Sequence, residues 1–219
     1  MKNNQELQKD VQNAIKFEPL LNAAEIGVIA KEGVITLTGT VNSYAKKMEA
    51  EDAAKNVTGV KAVVENIEVK FANNYEKSDN EIATEVLNAL KSNWDVPDNK
   101  LKIKVENGHV TLEGELQWNY QKEAAKKSVS NLAGVKILSN NIGIKSNIHD
   151  EIEKRDIEQA LVRNWSIDDK DIQVEVSGNR VTLNGTVHSF YQKDEAERIA
   201  WNAPGVWTVD NELFIDYAD

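Results

Sequence analysis

Apolar residues recur along this chain in two periods, and the same alternation of periods is run through three times. Leu7, Val11 and Ile15 stand four apart, as do Ile82, Val86 and Leu90, and again Ile157 and Leu161. That spacing puts each set on one stripe of a helix with a single buried face. Ser78 or Asp79 is placed to cap the second of these helices. Alternating runs follow: Ile26, Val28, Ala30 then Ile35, Leu37; Leu101, Ile103, Val105 then Val110, Leu112, Leu116; Ile172, Val174, Val176 then Val181, Leu183, Val187. A period of two marks strands with one buried face. Between paired runs sit Glu32-Gly33, Asn107-Gly108 and Gly178-Asn179, which read as hairpin turns of the primed types.

A second helix is predicted at about 43–57, 118–132 and 189–203, stopped by Gly59, Gly134 and Gly205, where a left-handed residue ends a helix. A last strand carries Val60, Val63, Ile67, Val69; then Val135, Leu138, Ile142, Ile144; then Val206, Val209, Leu213, Ile215. Each copy therefore reads α-β-β-α-β, an α+β fold in which two helices cover one face of a three-stranded mixed sheet.

The copies superpose without gaps from the end of the first helix onward, by a shift of 75 and then of 71. Gly39/Gly114/Gly185, Thr36/Thr111/Thr182, Lys47/Lys122/Lys193 and Ala50/Ala125/Ala196 all fall in register. Self-similarity at a fixed period signals tandem modules, here at 3–71, 77–146 and 148–217. The connections, near 72–77 and 146–150, are short. Small cores of this size gain from packing on one another.

Charge separates the copies where hydropathy unites them. Residues 1–73 carry nine lysines against ten acids, and 74–147 carry ten against ten. Residues 148–219 carry seven basic groups against sixteen acids, nearly the whole net charge of −10. Nucleic acid is bound through clustered positive charge, so that partner is excluded. There is no cysteine, hence no disulfide or thiolate metal site. The polar first ten residues predict no export signal, and no apolar run approaches a membrane span. The sequence thus predicts a soluble, cytoplasmic protein.

Residues Gly33, Val34, Ile35, Thr36, Leu37, Gly39 and Val41, then Gly59, Val60, Asn66 and Ile67, form a motif that returns in the other copies. In the second it is Gly108, Val110, Thr111, Leu112, Gly114, then Gly134, Val135, Asn140, Asn141, Ile142. In the third it is Val181, Thr182, Leu183, Gly185, Val187, then Gly205, Val206, Asn211, Leu213. Each copy in this respect resembles the BON domain. The resemblance implies non-catalytic modules that bind phospholipid or membrane surfaces and act in osmotic or envelope stress. Cation-binding roles occur among such proteins, and many are periplasmic, which is the alternative location.

No catalytic constellation competes with that reading. His109, His149 and His188 do not recur between copies, and no nucleophile-elbow or phosphate-loop motif surrounds any serine. Asp150, Glu151 and Glu153, and Asp168, Asp169 and Asp171, lack the glycine and terminal glutamate of a calcium loop. No enzyme activity, metal or cofactor is expected. The candidate ligand surface lies at the start of the second helices. Tyr44, then Trp118 with Tyr120, then Phe190 with Tyr191 stand there, followed by Lys47, Lys122 and Lys193. Aromatics with a polar tip and snorkelling lysines suit a lipid interface; the same residues also suit plain packing of a helix start. In the packing reading the lysines pair with residues four positions on, such as Glu51. Trp94, Trp165, Trp201 and Trp207 are expected in cores or between copies. Beside the lipid reading stand a protein-interaction or self-association scaffold and a small-cation sensor.

Overall fold

The structure, a computed structural model, describes residues 2–71, 77–145, 152, 154–164 and 171–216. The two connections fall almost wholly outside these residues, as do Trp165, His149 and most of the two acid clusters. Each copy has the order expected. The first runs α1 (Asn4–Phe17), β1 (Ile26–Lys31), β2 (Val34–Val41), α2 (Tyr44–Lys55) and β3 (Ala62–Val69). The second runs α3 (Asp79–Ser92), β4 (Leu101–Glu106), β5 (His109–Leu116), α4 (Asn119–Ser130) and β6 (Ile137–Ile144). The third runs α5 (Lys154–Val162), β7 (Ile172–Ser177), β8 (Arg180–Val187), α6 (Phe190–Trp201), β9 (Thr208–Asn211) and β10 (Phe214–Ile215).

The last strand takes its place beside the second. β2 is the central strand of the first sheet, antiparallel to β1 and parallel to β3. The second sheet repeats this around β5. In the third, β9 and β10 are two pieces of one strand, both parallel to β8. Each sheet is thus three-stranded and mixed, with one hydrophobic cluster per copy between it and its helices. The helical stripes lie in those clusters as their spacing requires: Leu7, Val11, Ile15; Ile82, Val86, Leu90; Ile157, Leu161. Val60, Val135 and Val206 are buried as well, just before their strands begin rather than within them.

Local chemistry fixes the element ends. α1 and α3 each start in a capping box, Asn3 with Glu6 and Ser78 with Glu81. Ser78 is thus the cap, and the neighbouring Asp79 does something else. Its carboxylate accepts from the backbone N–H groups of Asn107 and Gly108 at 2.8 and 2.9 Å, tying the helix to the hairpin. Asn4 does the same for Glu32 in the first copy, at 2.9 Å. Asn107 and Gly108 both have positive φ, as a type I′ turn requires. In the third hairpin only Gly178 does, which fits the II′ alternative.

Trp94 departs from expectation. It is 91% exposed, not in a core or a seam. After α3 the chain turns tightly, with the Val96 N–H donating to the Asn93 carbonyl and the Asp95 N–H to the Asn93 side chain. That turn sends Val96 inward, where it is buried, and leaves the indole outside. Trp201 does pack between copies, against the clusters of the second and third. Trp207 is half-buried, its indole N–H enclosed without an acceptor among the described residues.

Gly114 sits at φ 141° in β5, and a Cβ there would overlap the Lys100 carbonyl oxygen. Gly114→Ala should therefore cost about 3 kcal/mol, through backbone strain and displacement of the strand partner. At Gly143 a Cβ meets nothing nearer than 3.8 Å. Gly143→Ala should shift stability by less than about 1 kcal/mol. Chemical denaturation of the two variants checks the contrast, and equal losses would contradict it.

Candidate functional site

The second helix of each copy is the crossover between two parallel strands, so its inner face is committed to the core. Ala50, Ala53 and Ala54 are buried in α2, Ala125 and Val129 in α4, Ala196, Ile199 and Ala200 in α6. Small residues let the helix lie close on the sheet. Ser43 and Ser189 cap α2 and α6 with their hydroxyls, whereas at the start of α4 Trp118 stands at the cap and Gln121 accepts from its N–H at 3.2 Å.

The three register-matched lysines are bound up with the third strand. Lys47 donates to the Ile67 carbonyl at 2.8 Å and pairs with Glu65 at 2.6 Å. Lys193 donates to the equivalent carbonyl, that of Leu213, at 2.7 Å. The pairing expected between Lys47 and Glu51 is not formed, because Glu51 faces Lys55 at 2.7 Å instead. In the second copy the backbone carbonyl of Lys122 accepts from Asn140 at 3.1 Å, and Asn140 accepts from the Ile142 N–H at 3.4 Å. Asn211 repeats both bonds with Lys193 and Leu213. Asn140 and Asn211 thus clamp the helix to the strand. Their presence in the repeated motif was the available signal, and sequence reasoning alone gave them no role.

The aromatics divide. Tyr44 is 8% exposed and lies in the second copy's cluster, its hydroxyl against the backbone of Leu138 in β6. Burial raises its pKa, with Glu51, Glu65 and Asp52 adding to the effect. Phe190 packs against the first copy's cluster. Trp118 is half-buried. Tyr120 and Tyr191 stay 55% and 49% exposed. The eight candidate residues therefore do not form one continuous surface: some fasten copies together and others face solvent.

Two further features flank these helices. An open groove of about 580 Å³ runs where the first copy meets the second, lined by Lys47, Val69, Lys70, Phe71, Lys136 and Ile137 among others. Elsewhere on α2, the carboxyl of Glu49 is raised by burial, then by the hydrogen bond and charge of Glu18 at the end of α1. Among the described residues no three metal-ligating side chains converge, and no helix is long and apolar enough to cross a membrane.

Comparison with known proteins agrees with this architecture copy by copy. The BON domain family model matches residues 3–70, 78–146 and 149–216. Osmotically-inducible protein Y of Escherichia coli K12 is 28% identical over 143 residues, covering 62% of this chain and 71% of that protein. The C-terminal domain of CdsD, a structural protein of the type III secretion system of Chlamydia trachomatis, aligns over 98% of this chain and 100% of its own at 15% identity, with a TM-score of 0.26. A second CdsD structure aligns over 95% and 92% at 16% identity, with a TM-score of 0.27. Those scores are too low to equate the folds.

The Glu18–Glu49 pair gives a pH prediction. A carboxyl whose folded pKa is raised favours the fold below its unfolded value, about 4.3 for glutamate. That contribution is lost as pH rises through the folded value. Glu49→Gln should therefore raise the melting temperature at pH 7, with the advantage shrinking toward pH 4. A constant difference across that range, by calorimetry, would remove the pairing as its cause.

Proposed function

The chain belongs to the BON domain family, and from that premise we propose that it is a non-enzymatic stress-associated protein that docks on phospholipid surfaces. The relative named for osmotic induction supports the stress setting, and the family supports a binding role over a catalytic one. The observation that carries the lipid reading is the placement of large apolar side chains in solvent at the ends of first helices. Phe17 closes α1 and is 88% exposed, while Trp94 follows α3. Leu20, just beyond α1, is exposed too.

An isolated exposed leucine needs no explanation, but a fully exposed tryptophan beside a capped helix is unusual. Indole favours the headgroup level of a bilayer. Lys91, in the last turn of α3, and Lys100, past the turn, flank Trp94 along the chain, with Asp95 and Asp98 between Trp94 and Lys100. Tyr120, Tyr191 and the groove between the first two copies, where Lys70 and Lys136 rim Phe71 and Ile137, extend the same chemistry. Weak contacts on linked modules add through effective concentration. The strongly acidic third copy is repelled by anionic headgroups, so the first two are the lipid-facing copies.

Flotation with vesicles of neutral and of anionic lipid tests this. Binding is expected to weaken roughly tenfold in Trp94→Ala, the loss of one well-inserted aromatic being worth about 1–2 kcal/mol, and to leave melting unchanged. No flotation of the wild-type chain with either composition would sink the proposal.

A further inference from the structure

The first sheet has two edge strands, and they stand in different surroundings. β3 runs along the groove shared with the second copy, which Lys136 and Ile137 also line. The corresponding edge of the second sheet is likewise met, since Tyr44 reaches the backbone of Leu138 in β6. β1 is bonded on one side alone, to β2. Lys31 and Val34 flank a two-residue turn, so they form a hydrogen-bonded pair, and bonded and non-bonded pairs alternate from there. Ile29 and Gly27 therefore bond to β2, while Ala30, Val28 and Ile26 turn their backbone groups outward. The Ile26 N–H is spent on the Ala23 carbonyl. Among the described residues, Val28 and Ala30 find no other partner for these groups.

Edge strands are ordinarily guarded against pairing by charged side chains, lysine above all. β4 carries Lys102 and Lys104 at its solvent-facing positions, and β7 carries Gln173 and Glu175. The equivalent positions of β1 hold Gly27 and Ile29, and Ile29 is 60% exposed. The difference extends across the sheet. Ile29, Thr36 and Val64 make one row of its outer face. In that row the second sheet has Lys104, Thr111 and Ser139, and the third has Glu175, Thr182 and Asp210. The first copy thus presents a free edge with no charge at its middle.

We propose that β1 is a dimerisation edge: it pairs antiparallel with β1 of a second molecule of this chain, about a two-fold axis at Val28, and joins two three-stranded sheets into one. In that register the two Val28 residues bond to each other both ways, and each Ala30 N–H reaches the other molecule's Ile26 carbonyl. Ile29 lies opposite Gly27, where no side chain obstructs it. Lys31 comes to the end of the strand at which the other molecule's Glu25 stands, and symmetry makes this attraction twice. β1 set on β4 of another molecule would instead place Glu25 against Glu106 and Lys31 against Lys100. Set on β7 it would face Glu25 with Ser177 and keep the one attraction of Lys31 for Asp171. β4 on itself would oppose Lys102 and Lys104. Charge thus favours a second β1 over the other free edges. Each molecule has one such edge, so a two-fold pairing closes and stops at two. A six-residue strand adds less than the roughly 1,200 Å² of a standard stable interface, so the dimer depends on concentration.

Sedimentation of the full chain over a concentration series, without lipid, tests this. The wild type is expected to pass from monomer to dimer with a dissociation constant on the order of 10–100 μM, as suits a small interface. Ile29→Lys, which installs the charge that the second copy carries at Lys104, should weaken the dimer about tenfold. It should leave the melting temperature of the monomer unchanged, because the side chain stands in solvent. Lys31→Glu and Glu25→Lys, made singly, should each weaken the dimer about fivefold, and the double variant should return to within about twofold of wild type. A wild type that stays monomeric to about 500 μM, or that assembles past the dimer, overturns the proposal. So does a dimer that Ile29→Lys leaves intact. A double variant no tighter than the weaker single one overturns the register about Val28. Should Ile29→Lys lower the melting temperature, the exchange of charge at positions 25 and 31 decides by itself.

Discussion

Parallel strands cannot be joined by a tight turn; they need a crossover of a dozen or more residues. In every copy of this chain that crossover is the second helix, and most of the structure depends on how it is held. Its inner face is alanine-rich and lies close on the sheet. Its start is fastened to the third strand by Lys47 or Lys193 reaching a strand carbonyl, or by Asn140 or Asn211 bridging helix and strand. Once those groups are spent on fixing the helix, its outer face is left rigid, and a rigid outer face can be matched to a neighbour. The lysines that composition offers as lipid-seeking cations are to that extent structural: Lys47 and Lys193 direct their amines at backbone.

The fold was legible because it depends on period and turn chemistry, which are local. The helical stripes, the alternating runs, the hairpin at Asn107-Gly108 and the recurrence of Gly114 at its equivalent positions each state a backbone requirement in residue identity. What was not legible depends on direction. Trp94 has the composition of a core residue, and only the turn at Asn93, which buries Val96 in its stead, sends it outward. Tyr44 has the composition of an interfacial anchor, yet it is buried in another copy's cluster. Both misreadings have one cause. A sequence shows that a side chain is large and apolar, but whether a neighbouring copy stands over it is a long-range fact.

Charge plays a different part from hydropathy here. Desolvation between the helices raises the carboxyls of Asp52 and Asp194, Lys55 opposes the shift at both, and neighbouring acids add to it. With like charges such as Asp52 and Asp194 acting on each other there, the charges between the second helices are poor candidates for holding the copies together. Holding copies together falls to Tyr44, Phe190 and Trp201, whose apolar bodies would bind almost any apolar face.

That division bears on the exposed aromatics. The second helices demonstrate that this fold can bury a tyrosine or phenylalanine against a neighbouring copy. Burying such a side chain gains about 1.5–3 kcal/mol. Trp94 and Phe17 forgo that gain, although a few substitutions would replace them with polar groups at no cost to any core. On the proposed lipid-docking function, that exposure is where the chain would meet a bilayer. In the first two copies, then, large apolar side chains beyond the first helices face solvent, while Tyr44 and Phe190 at the starts of second helices pack onto neighbouring copies.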